Sequence, residues 1–203
     1  MRLRRPRQKL SVERSLAALA TRSNTLGIAP TGAGKTIMLS AVTGENIGDT
    51  QAKACVLAHR DELTAQNREK FARVNPGLAT SVLDATTKSW DGQVTFAMVP
   101  TLAREANLVA MPKLDLLVID EAHHAVAASY RRIVDRVRDA NPDARIFGVT
   151  ATPRRSHQAR PTTAPNWTAC SARSTGRSPR STPIRPMTAS TATPPSWRVG
   201  RGR

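Results

Sequence analysis

The apolar positions of residues 1–150 follow two alternating patterns. Short continuous apolar runs predict buried strands, and stretches in which apolar residues recur every three or four positions predict helices. The predicted strands cover residues 25–29, 54–58, 80–83, 93–99, 114–119 and 144–149. The predicted helices cover residues 10–20, 35–44, 61–74 and 130–140. This alternation predicts an α/β domain with a mostly parallel sheet and helices on both of its faces.

The two patterns stop after residue 150. Residues 154–203 contain 7 Pro and 15 Ser or Thr, and they show no helical or strand period. Such a segment cannot bury enough apolar surface to offset its chain entropy. We therefore predict an ordered domain at residues 1–153 and a disordered tail, without strands or helices, at residues 154–203.

Charge is concentrated in this tail. It holds 10 Arg and no Lys, Asp or Glu, and so carries +10 of the net +16. One interpretation is a natural basic tail. The other is an out-of-frame translation, which would leave the domain truncated or frameshifted after about residue 153. The 25 Arg against 6 Lys indicate GC-rich coding DNA and favour the second interpretation.

No targeting or membrane segment is predicted. No apolar run approaches the ~20 residues of a membrane span. The basic start of the chain is followed by Glu13 and Arg14 rather than by an apolar signal-peptide core. Cys55 and Cys170 have no metal-ligand spacing. We expect a cytoplasmic protein with no membrane partner.

The segment Ala-Pro-Thr-Gly-Ala-Gly-Lys-Thr, residues 29–36, joins the first predicted strand to a predicted helix. A strand, a glycine-containing loop, Lys-Thr and a helix predict a phosphate-binding loop, and this context disfavours a chance glycine-rich turn. Lys35 would contact the β- and γ-phosphates of ATP, and Thr36 would offer its hydroxyl to Mg²⁺. The predicted nucleotide-binding residues of the loop are Thr31, Gly32, Ala33, Gly34, Lys35 and Thr36.

Two acids follow the most apolar predicted strand. Asp120 is predicted to hold Mg²⁺ through water, and Glu121 to polarise the attacking water as a general base. The alternative is an aspartate that only caps the next helix. We predict Lys35, Asp120 and Glu121 as the catalytic residues.

Together, residues 29–36, 120–123 and 150–152 resemble motifs I, II and III of superfamily 2 helicases of the DEAD/DEAH-box type. The resemblance covers about residues 3–155 and is closest to bacterial or phage DNA-repair and restriction-type helicases. It implies a RecA-like P-loop NTPase domain, the first of the two in such helicases. It also implies ATP and Mg²⁺ as cofactors and a nucleic-acid partner, with DNA favoured over RNA.

The resemblance also implies roles for single residues. His123 would belong to the ATP site, and Thr150 and Thr152 would couple the nucleotide state to a second domain. Residues 56–63 and 99–102 are similar to nucleic-acid-contacting motifs, which implies contacts by His59, Arg60 and Thr101. The alternative for His59 and Arg60 is a solvated helix start.

The first residues of the chain resemble an adenine-reading segment of the same family. Gln8 would read the adenine edge, and Arg7 stands where the family has an aromatic residue. His124 is interpreted as a packing or surface residue.

Three functional hypotheses remain open. The first is the ATP-hydrolysing half of a DNA helicase, incomplete here because no second RecA-like domain is predicted after residue 153. The second is a catalytically inactive nucleotide- and nucleic-acid-binding fragment from a decayed gene. The third is a P-loop enzyme of another class, such as a kinase, which the resemblance to motifs II and III disfavours.

Overall fold

The structure is a computed structural model of the 203-residue chain, and it describes residues 6–48, 50–59, 61–151 and 168–171. The strands are β1 (Asn24–Ile28), β2 (Ala54–Ala58), β3 (Thr80–Leu83), β4 (Val94–Met98), β5 (Leu116–Ile119), β6 (Arg145–Thr150) and β7 (Thr168–Ser171). The helices are α1 (Pro6–Thr21), α2 (Lys35–Ile47), α3 (Asp61–Val74), α4 (Val99–Leu102), α5 (Glu105–Val109) and α6 (Ala128–Ala140).

The strands form one parallel sheet in the order β3-β4-β2-β5-β6-β1-β7. Because all the strands run the same way, their carboxyl ends lie along one edge, where parallel α/β sheets bind ligands. The loops that follow β1, β2, β4 and β5 and the carboxyl end of β6 therefore lie at this edge. These are the loops that carry the predicted motifs.

Two apolar clusters lie on the two faces of the sheet. On one face, Ile119 of β5 belongs to the same cluster as Tyr130 and Ile133 of α6. On the other, Val118 of β5 belongs to a cluster with Leu39 of α2. Alternate residues of β5 thus pack on opposite faces of the sheet, as expected for a strand buried on both sides.

The predicted α/β fold is confirmed. Each predicted strand and helix is present, with ends that differ by a few residues at most for every strand and by up to four for the helices. The short helices α4 and α5 and a single 3₁₀ turn at Ala122–His124 were not predicted. They are too brief to show a helical period.

One prediction about the tail is wrong. The sequence predicted no strand within residues 154–203, yet β7 pairs in parallel with β1 from Thr25↔Thr168 to Ile28↔Ser171. An edge strand is held by backbone hydrogen bonds, so four small residues without an apolar pattern suffice. The boundary at residue 153 remains a prediction. In the described part of the chain, none of the helices has the length and apolar character needed to cross a bilayer.

Candidate nucleotide-binding site

The loop between β1 and α2 is shaped by two glycines. Gly32 and Gly34 have φ values of 79° and 84°, a left-handed region that favours glycine because it has no Cβ. The loop starts beside β6, where the N–H of Ala29 donates to the carbonyl of Thr150 at 3.0 Å. This bond places the phosphate-binding loop next to the third predicted motif.

The loop leaves a site for an anion. Helix α2 begins at Lys35, and Gly34 before it provides no side-chain cap. The first N–H groups of a helix have no acceptor within the helix, and they favour a phosphate. A Cβ at Gly32 would meet no atom within 4 Å, so the space beside the loop is open. These features fit the phosphates of a nucleotide.

Gln8 of α1 packs onto this loop. Its Nε2 donates to the carbonyl of Ala33 at 2.9 Å, and the residue is buried. A Cβ at Gly34 would clash with the same nitrogen unless the Gln8 side chain shifted, and the positive φ of Gly34 favours glycine independently. Gln8 is thus held at the predicted phosphate-binding loop, and its contact with adenine remains a prediction.

Asp120 is fixed by two hydrogen bonds. Its Oδ2 accepts from Nδ2 of Asn67 at 2.9 Å, and its Oδ1 accepts from the N–H of Glu121 at 3.0 Å. Asn67 is buried in α3 and was not predicted as a site residue. A sequence signal for its burial was present, because Asn67 lies one helical turn before Phe71, which is buried.

Glu121 and His123 together connect the three predicted motifs. Oε1 of Glu121 lies 3.3 Å from Nζ of Lys35, and its Oε2 lies 3.3 Å from Nδ1 of His123. The same Nδ1 lies 3.2 Å from Oγ1 of Thr150. Glu121 also has φ 50°, the single positive φ at a non-glycine among the described residues. A left-handed residue costs about 1–3 kcal/mol and occurs mostly at functional sites.

The oxygen donors at the site suit Mg²⁺. Within residues 6–48, 50–59, 61–151 and 168–171 there is no group of three or more His, Cys, Asp or Glu that could hold a metal. Mg²⁺ does not need one, because it binds through one or two carboxylates together with substrate phosphates and water. The Asp120 carboxylate and the Thr36 hydroxyl are donors of this kind.

The residues predicted to contact nucleic acid differ in their exposure to solvent. His59 is exposed just beyond the end of β2. Thr101 is buried in α4, and its carbonyl accepts from Nδ2 of Asn107 at 2.7 Å. Arg60 and Thr152 lie outside the described residues. These contacts, and the coupling role of Thr152, remain predictions.

Three imidazole rings stand side by side at this edge. The rings of His59 and His124 are stacked, with centroids 5.4 Å apart and planes at 19°. The rings of His124 and His123 are tilted by 42°, with centroids 4.1 Å apart. His124 thus touches residues of two predicted motifs, which the sequence did not indicate.

Comparison with known sequences agrees with this geometry. Residues 2–155 match the family described as the Type III restriction enzyme, res subunit. Over 134 residues the chain is 31% identical to a Saccharomyces cerevisiae protein named "Putative ATP-dependent helicase IRC3". That match covers 60% of this chain and 19% of the yeast protein.

Solved structures share the fold. The Hef helicase domain of Pyrococcus furiosus has a TM-score of 0.64 at 21% identity, covering 81% of this chain and 37% of that chain. The SWI2/SNF2 ATPase core of Sulfolobus solfataricus, solved in complex with dsDNA, has a TM-score of 0.55 at 17% identity, covering 73% of this chain and 32% of that chain. The chain therefore spans less than two fifths of the length of these relatives.

Proposed function

Because this chain belongs to the family of the Type III restriction enzyme res subunit, we propose that it binds and hydrolyses ATP as one domain of a nucleic-acid helicase. The family and the fold identify it as a first RecA-like domain of superfamily 2 helicases. One observation supports the proposal most directly. Nζ of Lys35 and Oε1 of Glu121 lie 3.3 Å apart, at the edge formed by the carboxyl ends of the strands.

The residues divide the work of hydrolysis as follows. The loop N–H groups and Lys35 bind the phosphates, which places the γ-phosphate beside Glu121. Glu121 then orients a water and accepts its proton as the general base. Asp120 and Thr36 would hold Mg²⁺, which when bound supplies positive charge to the phosphate oxygens.

Unwinding is proposed to need more than this domain. In related phosphoryl transfer, an arginine from a second element raises the rate roughly 10³–10⁵-fold. We propose that a second RecA-like domain supplies that arginine, and that Thr150 and Thr152 relay the nucleotide state to it. Slow hydrolysis without strand separation is therefore expected of the 203-residue chain alone.

We infer further that the nucleic-acid partner is DNA rather than RNA. DNA is favoured because a fold relative was solved with dsDNA. The exposed His59 near the proposed ATP site and the 10 Arg of residues 154–203 favour a nucleic acid of either kind. Binding of single-stranded DNA and RNA of one sequence, each titrated with salt, tests this. Affinity that falls steeply with salt for both, but is higher for DNA, supports the inference. Equal or higher affinity for RNA contradicts it.

Nucleotide binding tests the proposed site itself. We expect calorimetry to detect ATP·Mg²⁺ binding by the full chain and its loss in both Lys35→Ala and Asp120→Ala. Lys70→Ala is the matched control, because Lys70 is an exposed lysine on α3. Unchanged affinity in Lys35→Ala and Asp120→Ala would discard the site. Binding without any hydrolysis would favour the inactive fragment instead.

A further inference from the structure

His59, His124 and His123 form a continuous row of rings, here called the histidine row. His59 follows β2, whereas His123 and His124 follow β5. The described ring contacts join His59 to His123 through His124. Two loops that are 64 positions apart in the sequence are therefore in contact through one side chain.

The two ends of the row have different surroundings. At one end, Nδ1 of His123 lies 3.3 Å from Oε2 of Glu121 and 3.2 Å from Oγ1 of Thr150. At the other end, the exposed ring of His59 lies where a nucleic-acid strand is expected. The row therefore extends from the proposed general base to the proposed nucleic-acid surface.

We propose that His124 is a positioning residue that couples the orientation of His123, and with it Glu121, to the orientation of His59. The proposal rests on the proposed function for the meaning of its two ends. Its physical basis is packing. Flat rings in contact have few alternative rotamers, so His123 cannot turn far without displacing its neighbour. Chains of packed side chains are one way in which sites are coupled energetically.

Nucleotide binding at the proposed site would change the surroundings of His123. Phosphates that engage Lys35 compete with Glu121 for its ammonium group, so the Glu121 carboxylate must rearrange. Since its other oxygen faces His123, that ring changes its surroundings too. If His124 transmits the change, His59 responds although it makes no described contact with Glu121 or Lys35.

The test is nuclear magnetic resonance of the full chain with ¹⁵N-labelled histidine. The chain has 4 His, so each ring resonance can be assigned by single substitution. A non-hydrolysable ATP analogue with Mg²⁺ is added to the parent, to His124→Ala and to His124→Phe. His124→Phe keeps a flat ring in the row but removes its nitrogens. Circular dichroism checks that each variant is folded.

We expect the nucleotide to shift the His123 and His59 resonances in the parent. The His59 shift should be lost in His124→Ala and retained in His124→Phe, while the His123 shift survives in both. A general loss of structure would abolish both shifts, so this pattern separates positioning from stability. A His59 shift that persists in His124→Ala, or that is absent from the parent while His123 responds, overturns the proposal.

A second arm needs no nucleotide. Thr150→Val removes the hydroxyl beside His123 and keeps the side-chain shape. We expect it to shift the His59 resonance in the parent background but not in His124→Ala. If the ATP analogue shifts no histidine resonance, the result contradicts the proposed ATP site. The Thr150→Val experiment alone then tests the role of His124. A Thr150→Val effect on His59 that is independent of His124 overturns it.

Discussion

Lys35 and Glu121 are paired at the candidate nucleotide-binding site, with Nζ and Oε1 3.3 Å apart. The lysine side chain is 14% exposed and that of the glutamate 33%, so the pair is partly shielded from water. Each member has another role in the proposed reaction, Lys35 toward phosphate and Glu121 toward water. We therefore expect the pair to separate in the proposed ATP complex, and we expect this separation to oppose ATP binding.

We predict that Glu121→Gln binds ATP·Mg²⁺ several-fold more tightly than the parent and hydrolyses it at least 10-fold more slowly. The amide no longer competes for Lys35 or repels the γ-phosphate, but it cannot accept a proton as a general base, a role that contributes typically 10²–10⁴-fold. Calorimetry and phosphate release measure the two effects. Glu45→Gln, at an exposed position of α2, is the control. Weaker binding by Glu121→Gln would contradict the competition.

Asn67 supports the predicted metal ligand, because its Nδ2 donates to Oδ2 of Asp120 at 2.9 Å. We predict that Asn67→Leu lowers the apparent Mg²⁺ affinity of ATP binding by about 10–100-fold, the usual cost of losing a partner of a metal ligand. A Mg²⁺ titration of ATP binding measures this. Gln66→Leu changes an exposed neighbour on the same helix and should have no effect. Equal Mg²⁺ dependence in both variants would remove Asn67 from the site.

The sequence predicted the elements better than the contacts between them. The apolar runs of β2 and β5 reflect strands buried on both faces, so composition alone marks them. The turn at residues 29–36 was predictable because its glycines and the helix start lie together in one short stretch. The partnership of Asn67 with Asp120 depends on how α3 packs against the sheet. No local pattern encodes a contact that spans 53 positions.

Two further features could not be predicted from the local sequence: the conformation of Glu121 and the ring contacts of His124. A left-handed glutamate is imposed by its surroundings, because the residue itself disfavours φ 50°. His124 was interpreted from sequence as a packing or surface residue, and its ring neighbours come from a separate loop as well as from the adjacent residue. Sequence reasoning thus predicted chemical groups for the candidate site but not the residues that orient them.

A glycine in the middle of α2 permits close packing against the end of α3. A Cβ at Gly44 would clash with the side-chain amide of Asn75, whose Nδ2 donates to the carbonyl of Ser40 at 2.9 Å. Alanine normally stabilises a helix interior by about 1 kcal/mol relative to glycine. We predict instead that Gly44→Ala lowers the free energy of unfolding by about 1–3 kcal/mol, the usual cost of overpacking.

A double-mutant cycle with Asn75→Ala provides the control. In an Asn75→Ala background the added methyl group has room, so Gly44→Ala should become neutral or stabilising by up to about 1 kcal/mol. Urea denaturation of the parent, both single variants and the double variant measures the coupling. Equal effects of Gly44→Ala in the two backgrounds would show that Asn75 is not the obstacle.

The buried hydroxyl of Tyr130 makes the stability of the fold depend on pH in the alkaline range. Its side chain is 1% exposed, and its hydroxyl has no hydrogen-bond partner within the described part of the chain. Burial, and next the negative charge of Asp120, raise the pKa of Tyr130 from 10.0 to about 12. A tyrosine is neutral when protonated, so the folded state holds this proton more tightly than the unfolded state. The resulting stabilisation is complete below pH 10 and is lost as the pH rises from 10 toward 12.

We therefore predict that Tyr130→Phe flattens the fall in unfolding free energy between pH 10 and 12. Near pH 7 the variant should be as stable as the parent, or more stable by about 1 kcal/mol, because it removes a buried hydroxyl without a partner. Denaturant unfolding at a series of pH values measures both effects. Tyr130 is the one tyrosine of the chain, so tyrosinate absorbance reports its pKa directly. Ionisation near pH 10 in the folded protein, or a marked loss of stability in Tyr130→Phe at pH 7, would show that the hydroxyl is solvated or bonded.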